Sequence, residues 1–156
     1  MSKRRVVITG MGIVSPVGLN LTENWANITA GVSGIGAITR FDASGITAQI
    51  AGEVKGFDIT QYIPAKDARR MDTFIHYGLA AGMQGFKDAG LVIDEHNAHR
   101  VGVNIGSGIG GLPLIEETGE VVRKSGARKI SPFFIPGSII NMAAGNLSIL
   151  LGLKGP

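Results

Sequence analysis

Residues 100–112 read RVGVNIGSGIGGL, and the fold class turns on them. Val101, Val103 and Ile105 alternate with smaller residues, the period-2 pattern of a strand. That strand would run straight into Gly106-Ser107-Gly108-Ile109-Gly110-Gly111. Four glycines in six residues mark a backbone that bends, or approaches a neighbour, where a Cβ would be in the way. Ile109 interrupts them with one branched apolar side chain, which needs another surface to pack against. A strand ending in such a loop is where open α/β sheets place their ligands. The pattern predicts an α/β fold with its site at this loop.

Toward the N-terminus, Lys3-Arg4-Arg5 precede VVITGMGIV. A basic leader before an apolar run imitates a signal peptide, but Thr9, Gly10 and Gly12 interrupt the run and Ser15-Pro16 stop it. Arg4–Thr9 therefore reads as a first buried strand. Gly10-Met11-Gly12-Ile13-Val14-Ser15 nearly matches the dinucleotide fingerprint, with Ser15 in place of the third glycine, and Gly106-x-Gly108-x-x-Gly111 matches it fully. Neither copy has the acidic residue about twenty positions on that would confirm it, and no GK[ST] follows. Tight loop packing outranks phosphate binding; a dinucleotide-binding oxidoreductase using the GxGxxG loop is the alternative class.

Among 156 residues, 44% are hydrophobic and 17% charged, which excludes general disorder and suffices for one domain with a core. The absence of cysteine removes disulfides, thiolate metal sites and a cysteine nucleophile from these residues, and it is compatible with the cytoplasm. His96 and His99 share a polar turn with Asp94 and Glu95, too few ligands for a closed metal site, and His76 reads as a bonded packing residue. Neither a metal nor a cofactor is expected. A net charge of +3 argues mildly for an acidic partner.

Between these landmarks the chain punctuates itself. Asn20 or Thr22 caps a helix over Leu21–Ala30 whose apolar stripe is Leu21, Trp25 and Ile28. Ile46–Lys55 alternates, with Ile46, Ile50 and Val54 on one face and Thr47, Gln49, Glu53 and Lys55 on an exposed one. Pro64 opens a helix that gathers Lys66, Arg69 and Arg70 on one face. Asp72 caps the next helix, which runs to about Ala89. Gly78, Gly82 and Gly85 each cost that helix roughly 1 kcal/mol against alanine, tolerable where another backbone packs closely, so the helix belongs in the interior. Pro113 opens a further helix to about Lys124, with Leu112, Ile115 and Val122 inward. Arg128 and Lys129 then precede Phe133, Phe134 and Ile135, which two prolines confine to loop or edge geometry. Large apolar residues so placed suggest a pocket lining or a subunit contact. Ser138 starts a last helix, Ile139–Leu151, too short for a hydrocarbon core of about 30 Å and interrupted by Asn141, Asn146 and Ser148, so no membrane span is expected.

The succession VVITGMGIVSPVG, RRMDTFIHYG, NIGSGIGG, RKISPFFIPGSIINMAAG and GLKGP resembles the N-terminal part of bacterial β-ketoacyl-acyl-carrier-protein synthases across essentially the whole chain. GSGIGG, with its bulky Ile109, resembles the type II elongating form. The resemblance implies a thiolase-like αβαβα fold, of which residues 1–156 would be an incomplete N-terminal half ending before the catalytic cysteine. It also implies a homodimer that condenses an enzyme-bound acyl thioester with malonyl-acyl-carrier protein in fatty acid elongation. A cysteine thiolate and two histidines do that chemistry in the family, and all three are expected beyond Pro156. By the same resemblance, Gly108, Ile109, Phe134 and Ile135 belong to the acyl pocket, Ile109 as its gate and Phe134 and Ile135 lining the tunnel of the opposite protomer. Lys66, Arg69, Arg70, Arg128 and Lys129 match positions that meet the acidic carrier protein. The 156 residues alone are expected not to condense acyl chains, since no histidine falls on a catalytic motif and no G-x-S-x-G elbow replaces the cysteine. Ile139–Leu151 is expected to keep much apolar surface uncovered. A non-catalytic carrier-protein binder is the third class, and nucleic-acid binding is disfavoured because no aromatics interleave the cations.

Overall fold

The computed structural model describes residues 3–156. Contacts gather them into two compact units, residues up to Asp58 with Gln84–Leu91, and Ile59–Met83 with Val92–Pro156.

In the first unit, α1 (Leu21–Thr29) forms where its cap predicts. Asn20 Oδ1 accepts from Glu23 N at 2.9 Å, and Glu23 Oε2 accepts in return from Leu19 N at 2.8 Å, a reciprocal arrangement that satisfies two donors at the helix entry. The predicted inward stripe does not hold. Leu21, Trp25 and Ile28 are exposed, and the buried residue is Asn24, which accepts from the Ser15 hydroxyl and donates to the Asn20 carbonyl. β1 (Ile35–Ala37) pairs antiparallel with β2 (Ile50–Gly52), placing Ile35 opposite Gly52. The faces predicted for residues 46–55 do not hold: Ile46 and Ile50 are exposed and Glu53 is buried. Glu53 goes inside because its carboxylate accepts from Thr39 N at 3.0 Å, the Thr39 hydroxyl at 2.7 Å and Arg40 N at 3.3 Å. The Thr39 bonds, chiefly from the hydroxyl, hold this carboxyl below the ordinary glutamate range.

Arg4–Thr9 is not the buried strand predicted. Among the described residues the one sheet is β1–β2, and Val6, Val7 and Ile8 stand 89%, 68% and 84% exposed. A strand acquires its hydrogen bonds from a neighbour, and no described segment supplies one. The glycine turn that follows does have a role: Met11 N donates to Asp88 Oδ2 at 2.9 Å and Ile13 N to Gln84 Oε1 at 3.2 Å. A Cβ at Gly10 would overlap Ala89 N and Gly85 O, so the would-be fingerprint is a backbone seated on a helix end.

The second unit holds the apolar core. α2 (Ala65–Ala68) and α3 (Thr73–Asp88) are followed by α4 (Leu112–Ser125), α5 (Phe134–Ser138) and α6 (Met142–Leu151). Ile63, Ala68, Ile75 and Leu79 pack with Ala143 and Leu147 of α6, and Ile75 and Leu79 are fully buried. The interior placement of α3 is thus as predicted; the backbone of Met11 and Gly12 faces Gly85 as expected, whereas side chains face Gly78 and Gly82. A Cβ at Gly78 would meet Ala143 Cβ at 3.5 Å, and one at Gly82 would overlap Leu147 Cδ2.

Val101–Ile105 also lacks a ladder, yet its alternation survives as burial: Val101, Val103 and Ile105 are half-buried and the residues between them exposed. Beside it, Lys154 N donates to Ala98 O at 2.9 Å and Gly155 N to Val101 O at 3.0 Å. The approach is so close that a Cβ at Gly102 would overlap the Pro156 carbonyl, and one at Gly155 would come 2.7 Å from Val101 C. α4 shows Leu112, Ile115 and Val122 to solvent, contrary to prediction. Its half-buried positions include Leu114, Thr118 and Val121, an i, i+4, i+7 stripe displaced around the helix. The predicted Ile139–Leu151 helix starts later: Ser138 ends α5 instead of opening that helix, Ile139 is extended (ψ 143°), and the helix is α6 from Met142. Phe134 and Ile135 lie in α5 rather than in a loop, with Pro136 in its first turn, where no amide hydrogen is needed. Ile139, Ile140, Ile149 and Leu150 are exposed, as expected of this segment.

Two measurements check this account. Gly78→Ala should stabilise the protein by about 0.5–1 kcal/mol through helix propensity. Gly82→Ala, which must displace Leu147, should cost about 1–2 kcal/mol net, both read by denaturant unfolding. Because the Glu53 carboxyl titrates low in the folded state, its contribution is complete above the ordinary glutamate value of about 4.3 and is lost as pH falls through the depressed one. Thr39→Val should shrink that acid-side loss in stability measured between pH 5 and 3, values chosen to bracket about 4.3.

Candidate functional site

Pro64, with extended backbone at ψ 139°, turns the chain into α2, and this single turn sets out the cations. Lys66 and Arg69 are exposed, whereas Arg70 is half-buried. Its Nη1 lies 3.8 Å from Asp67 Oδ1, and its guanidinium covers the Phe133 ring at 4.4 Å from the centroid. Both holds are modest: a partly exposed ion pair contributes about 0.2–1 kcal/mol and an exposed cation–π contact about 0.5–1 kcal/mol.

Arg70, Met71 and Phe133 border two cavities. One is an apolar groove of about 360 Å³, walled further by Ile63, Pro136, Met142, Ile149 and Leu150, with Asp67 and Asn146 as its other polar members. Asn146 spends a donor on its own helix, to Met142 O at 2.7 Å. The other, of about 60 Å³, adds Arg69, Leu114, Ser131 and Phe134. Ser131 thus brings the stretch that carries Arg128 and Lys129, both exposed in the 3-10 turn Ala127–Lys129, to the same cavity as Arg69 and Arg70.

The glycine loop ends in a locked junction. Gly110 has φ +95°, and Gly111 N donates to Ser138 O at 2.9 Å. A Cβ at Gly111 would come within 3.0 Å of Asp72 and Ser138. Asp72 opens α3 with its carbonyl, which accepts from Ile75 N at 3.0 Å, and donates its own N–H to Gly137 O at 3.1 Å. Its buried carboxylate accepts from Leu114 N, in the first turn of α4, at 2.9 Å. An anion is therefore already seated at the α4 N-terminus, where a dinucleotide phosphate would have to bind. Gly110 and Gly111 serve packing, whereas a Cβ at Gly106 or Gly108 would meet open space.

The predicted pocket residues are not gathered. Ile109 is 67% exposed, so the surface expected to cover it is not supplied by residues 3–156. Gly108 has open space around its Cα, and Ile135 is exposed. Phe134 lines the small cavity, while Ile109 and Ile135 line neither of the two. The Arg70–Phe133 stack escaped sequence reasoning; the only signal for it was an arginine and an aromatic run on separate segments. His76 Nε2 lies 2.9 Å from Ala68 O, a packing role as predicted. Asp94 Oδ1 accepts from His96 N at 2.8 Å and Asn97 N at 3.0 Å, so its carboxylate is engaged by its own turn. Among the described residues no helix is long and apolar enough to cross a membrane.

The model of the β-ketoacyl synthase N-terminal domain matches residues 3–156. A 3-oxoacyl-acyl-carrier-protein synthase 2 from Vibrio cholerae is 56% identical over all 156 residues, which span 38% of its length. The ishigamide ketosynthase/chain length factor is 26% identical, with a TM-score of 0.81 over 99% of this chain and 39% of its own. A type II PKS ketosynthase, solved in complex with its acyl-carrier protein, is 23% identical with a TM-score of 0.77 over 99% of this chain and 41% of its own. The fold is therefore that of the thiolase-like ketosynthases, and the chain spans well under half the length of the relatives it matches.

Removing the Asp72 carboxylate should leave a buried donor unpaired. Asp72→Ala should cost about 1.5–3 kcal/mol and speed hydrogen exchange at the Leu114 amide; Asp72→Asn, which keeps an acceptor, should lose less.

Proposed function

The chain belongs to the β-ketoacyl synthase family through its N-terminal domain, and we propose that it is part of a cytoplasmic, homodimeric 3-oxoacyl-acyl-carrier-protein synthase of fatty acid elongation. In that reaction a cysteine thiolate displaces the carrier thiol from an acyl-carrier thioester. Malonyl-carrier protein then loses carbon dioxide, and the resulting carbanion attacks the enzyme thioester, expelling the thiolate and leaving a 3-oxoacyl-carrier protein. These 156 residues contain no cysteine, so none of them carries the acyl group. Their part is to shape and to recognise. What carries the reading is likeness to a 3-oxoacyl synthase at 56% identity over the whole chain.

Lys66, Arg69, Arg70, Arg128 and Lys129 offer an acidic carrier a positive face, with an apolar groove bordered by one of them. Gly108, Ile109, Phe134 and Ile135 contribute to the acyl pocket, Ile109 as an exposed apolar side chain that the rest of the assembly covers. The oxidoreductase reading loses its support to Asp72 at the α4 N-terminus. A purely carrier-binding role differs from the condensing one in giving no product in the whole protein.

In the whole enzyme, Lys66→Glu with Arg69→Glu should lower kcat/KM for an acyl-carrier protein at least tenfold at low salt, about 1.4 kcal/mol. Turnover of the same acyl group on a small thioester should change little, and the defect should shrink as salt rises. Equal losses with both substrates would show that these cations are structural.

A further inference from the structure

The junction that ends the glycine loop is built from residues between Asp72 and Ile140, whereas the surface that covers Ile109 is not supplied by residues 3–156. Asp72 Oδ2 accepts from Leu114 N at 2.9 Å and so holds the first turn of α4. Asp72 N donates to Gly137 O at 3.1 Å and holds the end of α5. Between them Gly111 N donates to Ser138 O at 2.9 Å, and Leu112 N to Gly110 O at 3.0 Å. Gly110, at φ +95°, is so enclosed that a Cβ there would overlap Ser138 O. Ile109 is the residue before it, its Cα one peptide unit, about 3.8 Å, from that of Gly110. On its other side a Cβ at Gly106 or Gly108 would meet open space. Ile109 is thus mounted on the edge of a fixed block, and the same block carries α5 with Phe134 and Ile135.

We propose that Asp72 is a positioning residue for Ile109: its carboxylate sets where that side chain stands, and so how sharply the acyl pocket separates long chains from short ones. The place of Ile109 in the pocket rests on the function proposed above; its dependence on Asp72 rests on the junction. Asp72 is buried, and a carboxylate taking an amide hydrogen at a helix entry makes a charge-assisted bond. Without it Leu114 N has no acceptor, the first turn of α4 and Gly111 relax together, and Ile109 moves with them. A small displacement of an apolar wall is felt in selectivity, because a single methylene changes discrimination about 10- to 200-fold in a hydrophobic pocket. These residues contain no cysteine to carry the acyl group, so the effect falls on which chain is accepted rather than on bond making.

The test uses the whole enzyme with butanoyl- and hexadecanoyl-carrier protein, read as the ratio of kcat/KM for the two, in which any loss of folded protein cancels. Asp72→Ala should bring that ratio about fivefold closer to one, less than a methylene makes in a fixed pocket. Ile109→Ala should flatten it at least as far. Adding Asp72→Ala to Ile109→Ala should flatten it no further, the non-additivity expected when one residue acts through the other. Asp72→Asn, which keeps an acceptor for Leu114 N, should restore most of the wild-type ratio. Gly111→Ala presses on the junction from the opposite side and should act as Asp72→Ala does, serving in its place if that variant fails to fold. A carboxylate with a folding role alone would lower kcat/KM for both chains alike and leave the ratio fixed. A fixed ratio in these variants or in Ile109→Ala, full additivity of the two, or a wild type that takes both chains equally would overturn the positioning role while leaving the proposed function standing. Absence of 3-oxoacyl product from either chain in the wild type would overturn both.

Discussion

The buried carboxylate of Asp72 holds together the part of the molecule on which the site depends. One residue opens α3 with its carbonyl, ties itself to Gly137 with its amide, and satisfies Leu114 of α4 with its side chain. Helix termini leave donors that must find partners; here a residue distant in sequence provides one. The end of the glycine loop is consequently pressed against the start of α3 and the end of α5, and its two last glycines are needed because Ser138 and Asp72 occupy the space a side chain would take.

The two units are stabilised by different chemistry. In the second, the buried side chains are mainly apolar and meet across α3 and α6. In the first, the buried side chains are Asn24 and Glu53, each satisfied by hydrogen bonds, while Val6, Ile8, Trp25 and Ile50 face solvent. A hydrogen-bonded network fixes geometry but buries little apolar surface.

That difference explains what could be read in advance. Helices carry their own hydrogen bonds, so α1, α3 and α4 were legible from Asn20, from the run between Asp72 and Gly90, and from Pro113. Strands do not: the alternation at Val101–Ile105 marks a strand-forming sequence, yet its described neighbour at residues 154–156 forms no ladder with it. Helix faces were less legible, because Leu112, Ile115 and Val122 announce a hydrophobic stripe without saying what covers it. Burial of Asn24, Glu53 and Asp72 depended on partners that no periodicity reveals. The site was legible as a set of residue types, cations before an aromatic run, but not as the pairing of Arg70 with Phe133, which meet where the backbone of residues 70–72 runs against Gly137 of α5.

The contact between residues 101–102 and 154–156 constrains which sequences this architecture admits. At Gly102 and Gly155 the obstacle to a side chain is main chain, which has no alternative rotamer and cannot be made smaller by a compensating mutation. A saturation library would leave both columns nearly empty, and no second-site suppressor confined to side chains would refill them. Codon choice at these two points is governed by the path of the polypeptide itself, independently of whatever ligand the folded protein binds.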